Sequence, residues 1–100
     1  MKPDAEHSPP KSMLTRELVV RNQYGIHARP AAIFVKTASR FEAEVTVEKG
    51  DMKVSGKSIM GLMTLEASSG ATVKIHAAGA DAEQALDELQ KLLEQNFFEE

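Results

Sequence analysis

Cysteine and tryptophan are both absent from this chain of 100 residues, and its aromatic residues are limited to one tyrosine and four phenylalanines. Without cysteine, the fold cannot depend on disulfides, and thiol redox chemistry is excluded. No apolar run approaches the length that spans a bilayer, and the N-terminus has no apolar stretch of the kind found in signal peptides. We therefore expect a cytoplasmic protein with no membrane insertion.

The formal net charge is −3 at neutral pH, and it is unevenly distributed. Residues 80–100 hold seven acidic residues and one lysine, so the rest of the chain is net basic. An acidic chain whose predicted strands present no outward aromatic side chain does not fit nucleic-acid binding. The three histidines, His7, His27 and His76, are isolated, with no acidic residues at ligand spacing around them, so we expect no metal site.

The N-terminal twelve residues differ in composition from the rest of the chain. Residues 1–12 contain three prolines and almost no side chains that can join a core. Such a composition is typical of disorder. The remaining length is sufficient for one domain with a single core. We therefore expect a disordered leader at 1–12 and one domain at 13–100.

The hydrophobic pattern of this domain changes period several times. Alternation of apolar and polar residues predicts four strands, at 17–22, 42–49, about 52–54 and 73–77. Apolar residues at helical spacing predict helices at 28–39, about 58–65 and about 81–95, with Asp81 as the N-cap of the last. Each strand has one apolar face, as in an antiparallel sheet covered on one side. The order βαββαβα predicts an α+β domain of two layers.

The heptapeptide Gly25-Ile26-His27-Ala28-Arg29-Pro30-Ala31 lies where the chain passes from extended to helical. Pro30 fits only the first turn of a helix, which puts His27 at the helix start. The N–H groups of that turn and the positive end of the helix favour an anion there. Arg29 adds a charged fork that pairs with phosphate oxygens. The motif therefore indicates a histidine that holds a phosphoryl group.

Together with a second motif, Lys57-Ser58-Ile59-Met60-Gly61-Leu62-Met63-Thr64-Leu65, this heptapeptide resembles the HPr family, the histidine phosphocarriers of the bacterial phosphotransferase system. The likeness runs from about Met13 to the C-terminus. It implies an open-faced β-sandwich, in which a four-stranded antiparallel sheet is covered on one face by three helices.

The resemblance also implies a function. Nδ1 of His27 would accept a phosphoryl group from enzyme I, itself charged by phosphoenolpyruvate, and pass it to the EIIA component of a sugar permease. Arg29 would stabilise the phosphate. A carrier of this kind is not an enzyme, needs no cofactor of its own, and is expected to be a monomer.

The resemblance further implies that enzyme I and EIIA dock on the same surface of this chain. A short helix has only one inward face, so at least one of Ile59, Met60 and Met63 should stay exposed, and adaptable methionines suit docking to several partners. Basic residues on and beside the His27 helix would steer acidic partners. The docking surface expected from these features consists of Ala28, Lys36, Arg40, Ile59, Met60 and Met63.

Ser58 has two interpretations. Serine is a preferred helix N-cap, and the residues Ile59, Leu62 and Met63 begin an apolar stripe immediately after it. The family resemblance adds phosphorylation of this serine by an ATP-dependent HPr kinase/phosphorylase that regulates carbon use. The sequence leaves both interpretations open.

Two alternative functions also stay open. Residues 63–70 and 96–100 are similar to the nitrogen-related branch of the family, whose carrier relays phosphate for regulation, whereas residues 57–61 look more like the kinase-regulated sugar branch. The alternative from another class is a non-catalytic protein-binding module of the same fold. Such a module would not depend on His27.

Overall fold

Four strands and three helices make up the computed structural model, which describes residues 13–98. The strands are β1 (Leu14–Val19), β2 (Glu44–Lys49), β3 (Met52–Ser55) and β4 (Thr72–Ala78). The helices are α1 (Ala28–Ala38), α2 (Ile59–Thr64) and α3 (Ala82–Glu94), followed by a 3₁₀ turn, Asn96–Phe98. This order confirms the predicted βαββαβα arrangement. The leader predicted at residues 1–12 lies outside the described residues.

All four strands belong to one antiparallel sheet in the order β1-β4-β2-β3. Its inner face is apolar because alternate residues point to the same side, and the register aligns Leu18 with Val73 and Val47 with Ile75. The helices bury their apolar stripes against this face. The largest core side chains are Phe34, Leu62, Ile75, Leu86, Leu89, Leu93 and Phe97. The α+β open-faced sandwich expected from the sequence is therefore confirmed.

The outer face of the sheet is polar, and His76 lies at its centre. Its ring lies on this outer face and is half-buried between two neighbours. Nδ1 lies 2.8 Å from Oγ1 of Thr15, and Nε2 lies 2.8 Å from Oε1 of Glu48. The hydrogen bond with His76 lowers the pKa of Glu48, and the nearby charge of Lys53 acts in the same direction. His76 is thus part of a polar network of the sheet.

The first strand begins and ends earlier than predicted. We expected it at 17–22, but the pairing with β4 ends where Val19 meets Thr72. Val20 lies beyond this ladder and is fully buried; its backbone bonds instead to Ala71 and Gly70. Hydrophobic alternation located the buried residue correctly. It could not locate the end of the ladder, which depends on the partner strand.

Asp81 was predicted as the N-cap of α3, and it occupies that position, with its carbonyl accepting the hydrogen bond from Ala85 N–H. Its side chain makes no capping hydrogen bond. The carboxylate instead accepts hydrogen bonds from the backbone N–H groups of Glu42, at 2.9 Å, and Ala43, at 2.8 Å. These bonds explain why β2 starts at Glu44 and not at residue 42, since the two N–H groups before it bond to a side chain. They also lower the pKa of Asp81.

Two kinds of feature are missing from the part of the chain that the structure describes. Between residues 13 and 98, no helix is both long enough and apolar enough to cross a membrane. Over the same range, no three histidine or acidic side chains are grouped as metal ligands would be.

Replacing Asp81 by alanine should destabilise the fold in a pH-dependent way. Because the folded state lowers the pKa of Asp81 below its ordinary value of 3.8, the stabilisation is fully present above that pH and is lost as the pH falls below it. We expect the difference in unfolding free energy between wild type and Asp81→Ala to be largest at neutral pH and to shrink below pH 3.8, as measured by urea denaturation across pH. Asp51→Ala, in an exposed turn, is the control; a pH-independent difference for Asp81→Ala would contradict the assignment.

Candidate functional site

His27 occupies the N-cap position of α1. Its backbone is extended, with φ −102° and ψ −163°, and its side chain makes no capping hydrogen bond. Its carbonyl accepts the first helical hydrogen bond, from Ala31 N–H at 2.9 Å. The residue as a whole is exposed. The imidazole is therefore accessible from solvent at the start of the helix.

The loop before His27 is held in place by tertiary contacts. Asn22 is 2% exposed, and its Nδ2 donates to the carbonyl of Gly25 at 2.7 Å. Ile26 N–H donates to the carbonyl of Ala67 at 2.8 Å, which ties the loop to the segment after α2. Gly25 has φ +72°, and a Cβ on it would collide with the carbonyl oxygen of Ala67 and lie 2.7 Å from Cα of Ser68. Only glycine fits this position.

The helix start next to His27 is suited to an anion. Pro30 has no N–H, and the N–H groups of Ala28 and Arg29 come before the first helical hydrogen bond. These two N–H groups and the helix dipole therefore attract negative charge to the helix end. Arg29 is exposed and lines the same depression as His27. The structure brings together the two residues that the sequence singled out for phosphate chemistry.

A surface depression of about 490 Å³ surrounds these groups, and we call it the His27 depression. It is lined by Asn22, Gln23, Tyr24, His27, Arg29, Asn96 and Phe98. Only two of these residues were predicted from the sequence to form a site. Tyr24, three residues before His27, could have been found as the one exposed aromatic in the loop. Phe98 could not, because only the packing of the C-terminal turn brings it to the depression.

Three exposed basic residues lie on and just after α1. Arg29 and Lys36 are seven residues apart, which keeps them on one side of the helix, and Arg40 follows two residues after the helix ends. The guanidinium of Arg40 lies 5.5 Å from the ring centroid of Phe41, close enough for a cation–π contact. The positive charge of the expected docking surface thus begins beside His27 and continues along α1.

The apolar part of the docking surface lies on α2, which packs against α1. We expected at least one of its three residues to be exposed, and all three are: Ile59 by 40%, Met60 by 73% and Met63 by 39%. Of the apolar stripe predicted to begin with Ile59, Leu62 and Met63, Leu62 is the residue that is buried in α2.

Ser58 is the N-cap of α2, as one of its two interpretations predicted. Its Oγ accepts a hydrogen bond from Gly61 N–H at 2.9 Å, and its carbonyl accepts one from Leu62 N–H. The neighbouring Lys57 donates through Nζ to the carbonyl of Phe41 at 2.8 Å. The start of α2 is therefore fixed both locally and to the loop after α1.

Comparison with known proteins gives concordant matches over nearly the whole domain. A family model described as the PTS HPr component phosphorylation site matches residues 14–95. The phosphocarrier protein HPr of Neisseria meningitidis serogroup A is 42% identical over 87 residues, which are 87% of this chain and 98% of that protein. The HPr-like protein Crh of Bacillus subtilis is 47% identical over 77 residues, 77% of this chain and 91% of that protein.

Among solved structures, a crystal structure of HPr from Thermoanaerobacter tengcongensis superimposes with a TM-score of 0.84 at 47% identity, covering 87% of this chain and 98% of that one. The open sheet, its three helices and these relatives define a small phosphocarrier domain. The chain belongs to the HPr family of the phosphotransferase system. Members of this family carry phosphoryl groups and are not enzymes, and their partners are other components of that system, such as enzyme I and EIIA proteins.

Gly25→Ala should destabilise the protein by about 2–4 kcal/mol, because it adds a left-handed backbone penalty to a collision with Ala67 and Ser68. Gly50→Ala is a matched control, since Gly50 has φ +59° but no atom lies within 4 Å of the place that a Cβ would take. We expect Gly50→Ala to lower the free energy of unfolding, measured by urea denaturation, by the left-handed backbone penalty alone. Equal losses in the two variants would mean that the loop does not depend on its contact with Ala67.

Proposed function

We propose that this chain accepts a phosphoryl group on Nδ1 of His27 from phosphoenolpyruvate-charged enzyme I and passes it to a sugar-specific EIIA component. The observation that carries the proposal is the position of His27, exposed at the N-cap of α1 beside Arg29. The chain's membership of the HPr family supports the same reaction. The relay starts from phosphoenolpyruvate, an intermediate of glycolysis, so we propose a cytoplasmic location.

The chemistry needs no metal or organic cofactor from this chain. A lone pair of the imidazole attacks phosphorus while the bond from phosphorus to the donor breaks, and the donor keeps that electron pair. Phosphoryl transfer depends largely on positioning and charge stabilisation. The N–H groups of Ala28 and Arg29 and the Arg29 guanidinium supply that stabilisation as charge builds on the phosphoryl oxygens. Transfer to EIIA reverses the same steps.

Docking of either partner would use the docking surface defined above. Its basic residues on and beside α1 would steer an acidic partner surface toward His27. The exposed methionines of α2 adapt their shape at little cost, which suits two partners of different structure. One copy of the chain contains every residue invoked, so we propose that it acts as a monomer.

Enzyme I and phosphoenolpyruvate should add one phosphoryl group to the wild-type protein, stable in base and lost in acid, as detected by intact-mass analysis. His27→Ala should abolish the addition completely. His76→Ala is the matched control, since its ring is engaged with Thr15 and Glu48 on the outer sheet face, and it should accept phosphate normally. An acid-labile phosphate on the His27→Ala protein would contradict the assignment, and a non-catalytic binding module would take up none in any variant.

Regulation through Ser58 is the second part of the proposal. A phosphate on Ser58 would lie at the start of α2, where the N–H of Gly61 already donates to its Oγ and where a negative charge suits the helix dipole. It would also stand next to the exposed Ile59 and Met60 of the docking surface. We propose that an HPr kinase/phosphorylase uses this position to weaken docking without unfolding the domain.

Ser58→Asp should keep a melting temperature near wild type, because an aspartate is also a good N-cap. Phosphorylation of His27 by enzyme I should be slower, because the added carboxylate repels the acidic partner surface. The defect should grow at low salt, where this repulsion is less screened. Ser58→Ala is the comparison variant: it should lose on the order of 1 kcal/mol of stability with near-normal transfer. A wild-type rate for Ser58→Asp at low salt would leave Ser58 with its capping role alone.

The alternative function, a regulatory carrier of the nitrogen-related branch, is favoured by the C-terminal residues. The C-terminal residues resemble that branch, and two of them, Asn96 and Phe98, line the His27 depression. A segment that differs between branches therefore lies beside the proposed phosphoryl site. The sugar branch stays the first proposal because of the second motif at residues 57–61.

A further inference from the structure

The His27 depression contains two aromatic rings that the proposed phosphoryl chemistry does not use. Tyr24 is 72% exposed and Phe98 is 66% exposed, and both line the depression. The Tyr24 ring meets the His27 ring edge-on, with centroids 6.4 Å apart and an interplanar angle of 78°. Leaving aromatic side chains in contact with water forgoes the free energy of burying them. Their placement beside a reactive histidine therefore suggests a role.

The backbone that carries Phe98 is itself unfavourable. Asn96, Phe97 and Phe98 have φ values of 54°, 56° and 63°, so three successive residues other than glycine are left-handed. Each such residue costs free energy and persists only where its surroundings impose it. Here the side chain of Phe97 is 1% exposed in the core, and Phe98 N–H donates to the carbonyl of Gln95 at 2.9 Å. The buried Phe97 thus fixes the turn that puts Phe98 at the depression.

We propose that Tyr24 and Phe98 form an aromatic wall that restricts water at phosphorylated His27 and so lengthens the lifetime of the phosphoryl group. The inference rests on the proposed function. In the competing reaction, a water oxygen bonds to phosphorus, the phosphorus–nitrogen bond breaks with its electron pair returning to the imidazole, and a proton of the water passes to a product. Apolar groups that exclude water from a reactive centre suppress such side reactions.

The aromatic wall is compatible with transfer to a partner because it belongs to other elements than the docking surface. Tyr24 lies in the loop before α1, and Phe98 lies in the turn after α3, whereas the docking surface consists of residues on and beside α1 and α2. A partner bound to those two helices would contact other residues than the two rings. The wall would then act during the interval between the two partners.

The test measures hydrolysis in the absence of partners. Wild-type protein and variants are phosphorylated with enzyme I and phosphoenolpyruvate, separated from both, and followed by intact mass over time at neutral pH. The double variant Tyr24→Ala/Phe98→Ala should lose its phosphate at least about threefold faster than wild type. Tyr24→Phe and Phe98→Tyr, which keep the rings, should behave as wild type. Met52→Ala, which removes an exposed apolar side chain from β3, should have no effect.

A wild-type lifetime in the double variant would overturn the inference, as would an equal acceleration in Met52→Ala. The double variant could also fail to accept phosphate while keeping a wild-type melting temperature. That result would mean that the rings are needed for accepting the phosphoryl group, and it too would overturn the inference. These outcomes leave the proposed function standing, since His27 of the wild type is still phosphorylated. If the wild type acquires no phosphate, or keeps it without His27, the proposed function fails and the inference fails with it.

Discussion

The hydrogen bond from Ile26 N–H to the carbonyl of Ala67, 2.8 Å long, is the constraint on which the site depends. It joins the loop before α1 to the segment after α2, so two distant parts of the chain fix the point where α1 begins. Gly25 lets the two backbones approach this closely, because any Cβ would meet Ala67 and Ser68. With the helix start held in this way, His27 and the first-turn N–H groups keep a constant relation to each other. Little of that order has to be created when a partner docks.

The parts of the proposed phosphoryl site and docking surface belong to separate elements around this helix start. The loop supplies the histidine, and the first turn of α1 supplies donors for an anion. The proposed docking surface uses the exposed charge and apolar area of α1 and α2, while the acidic residues of α3 lie on a different element. The proposed regulation at Ser58 and the proposed shielding by Tyr24 and Phe98 both rely on this separation.

Local patterns predicted the elements and the helix that starts beside His27, and long-range contacts decided what they missed. Pro30 and the spacing of apolar residues suffice to start a helix next to His27, so that prediction needed no tertiary information. Asp81 occupies the predicted N-cap position of α3, but its carboxylate bonds to the backbone of Glu42 and Ala43, which are far away in sequence. The place of Phe98 follows from the burial of Phe97, and no local pattern contains that contact.

The most direct test of the central claim is the change in backbone amide resonances when the protein is phosphorylated. If the helix start holds the phosphoryl group, the amide signals of Ala28 and Arg29 should shift most, together with the ring nitrogens of His27, because charge-assisted hydrogen bonds form there. The signals of Thr15, Glu48 and His76 on the outer sheet face should stay in place. Large shifts around His76, with the first turn of α1 unchanged, would contradict the account.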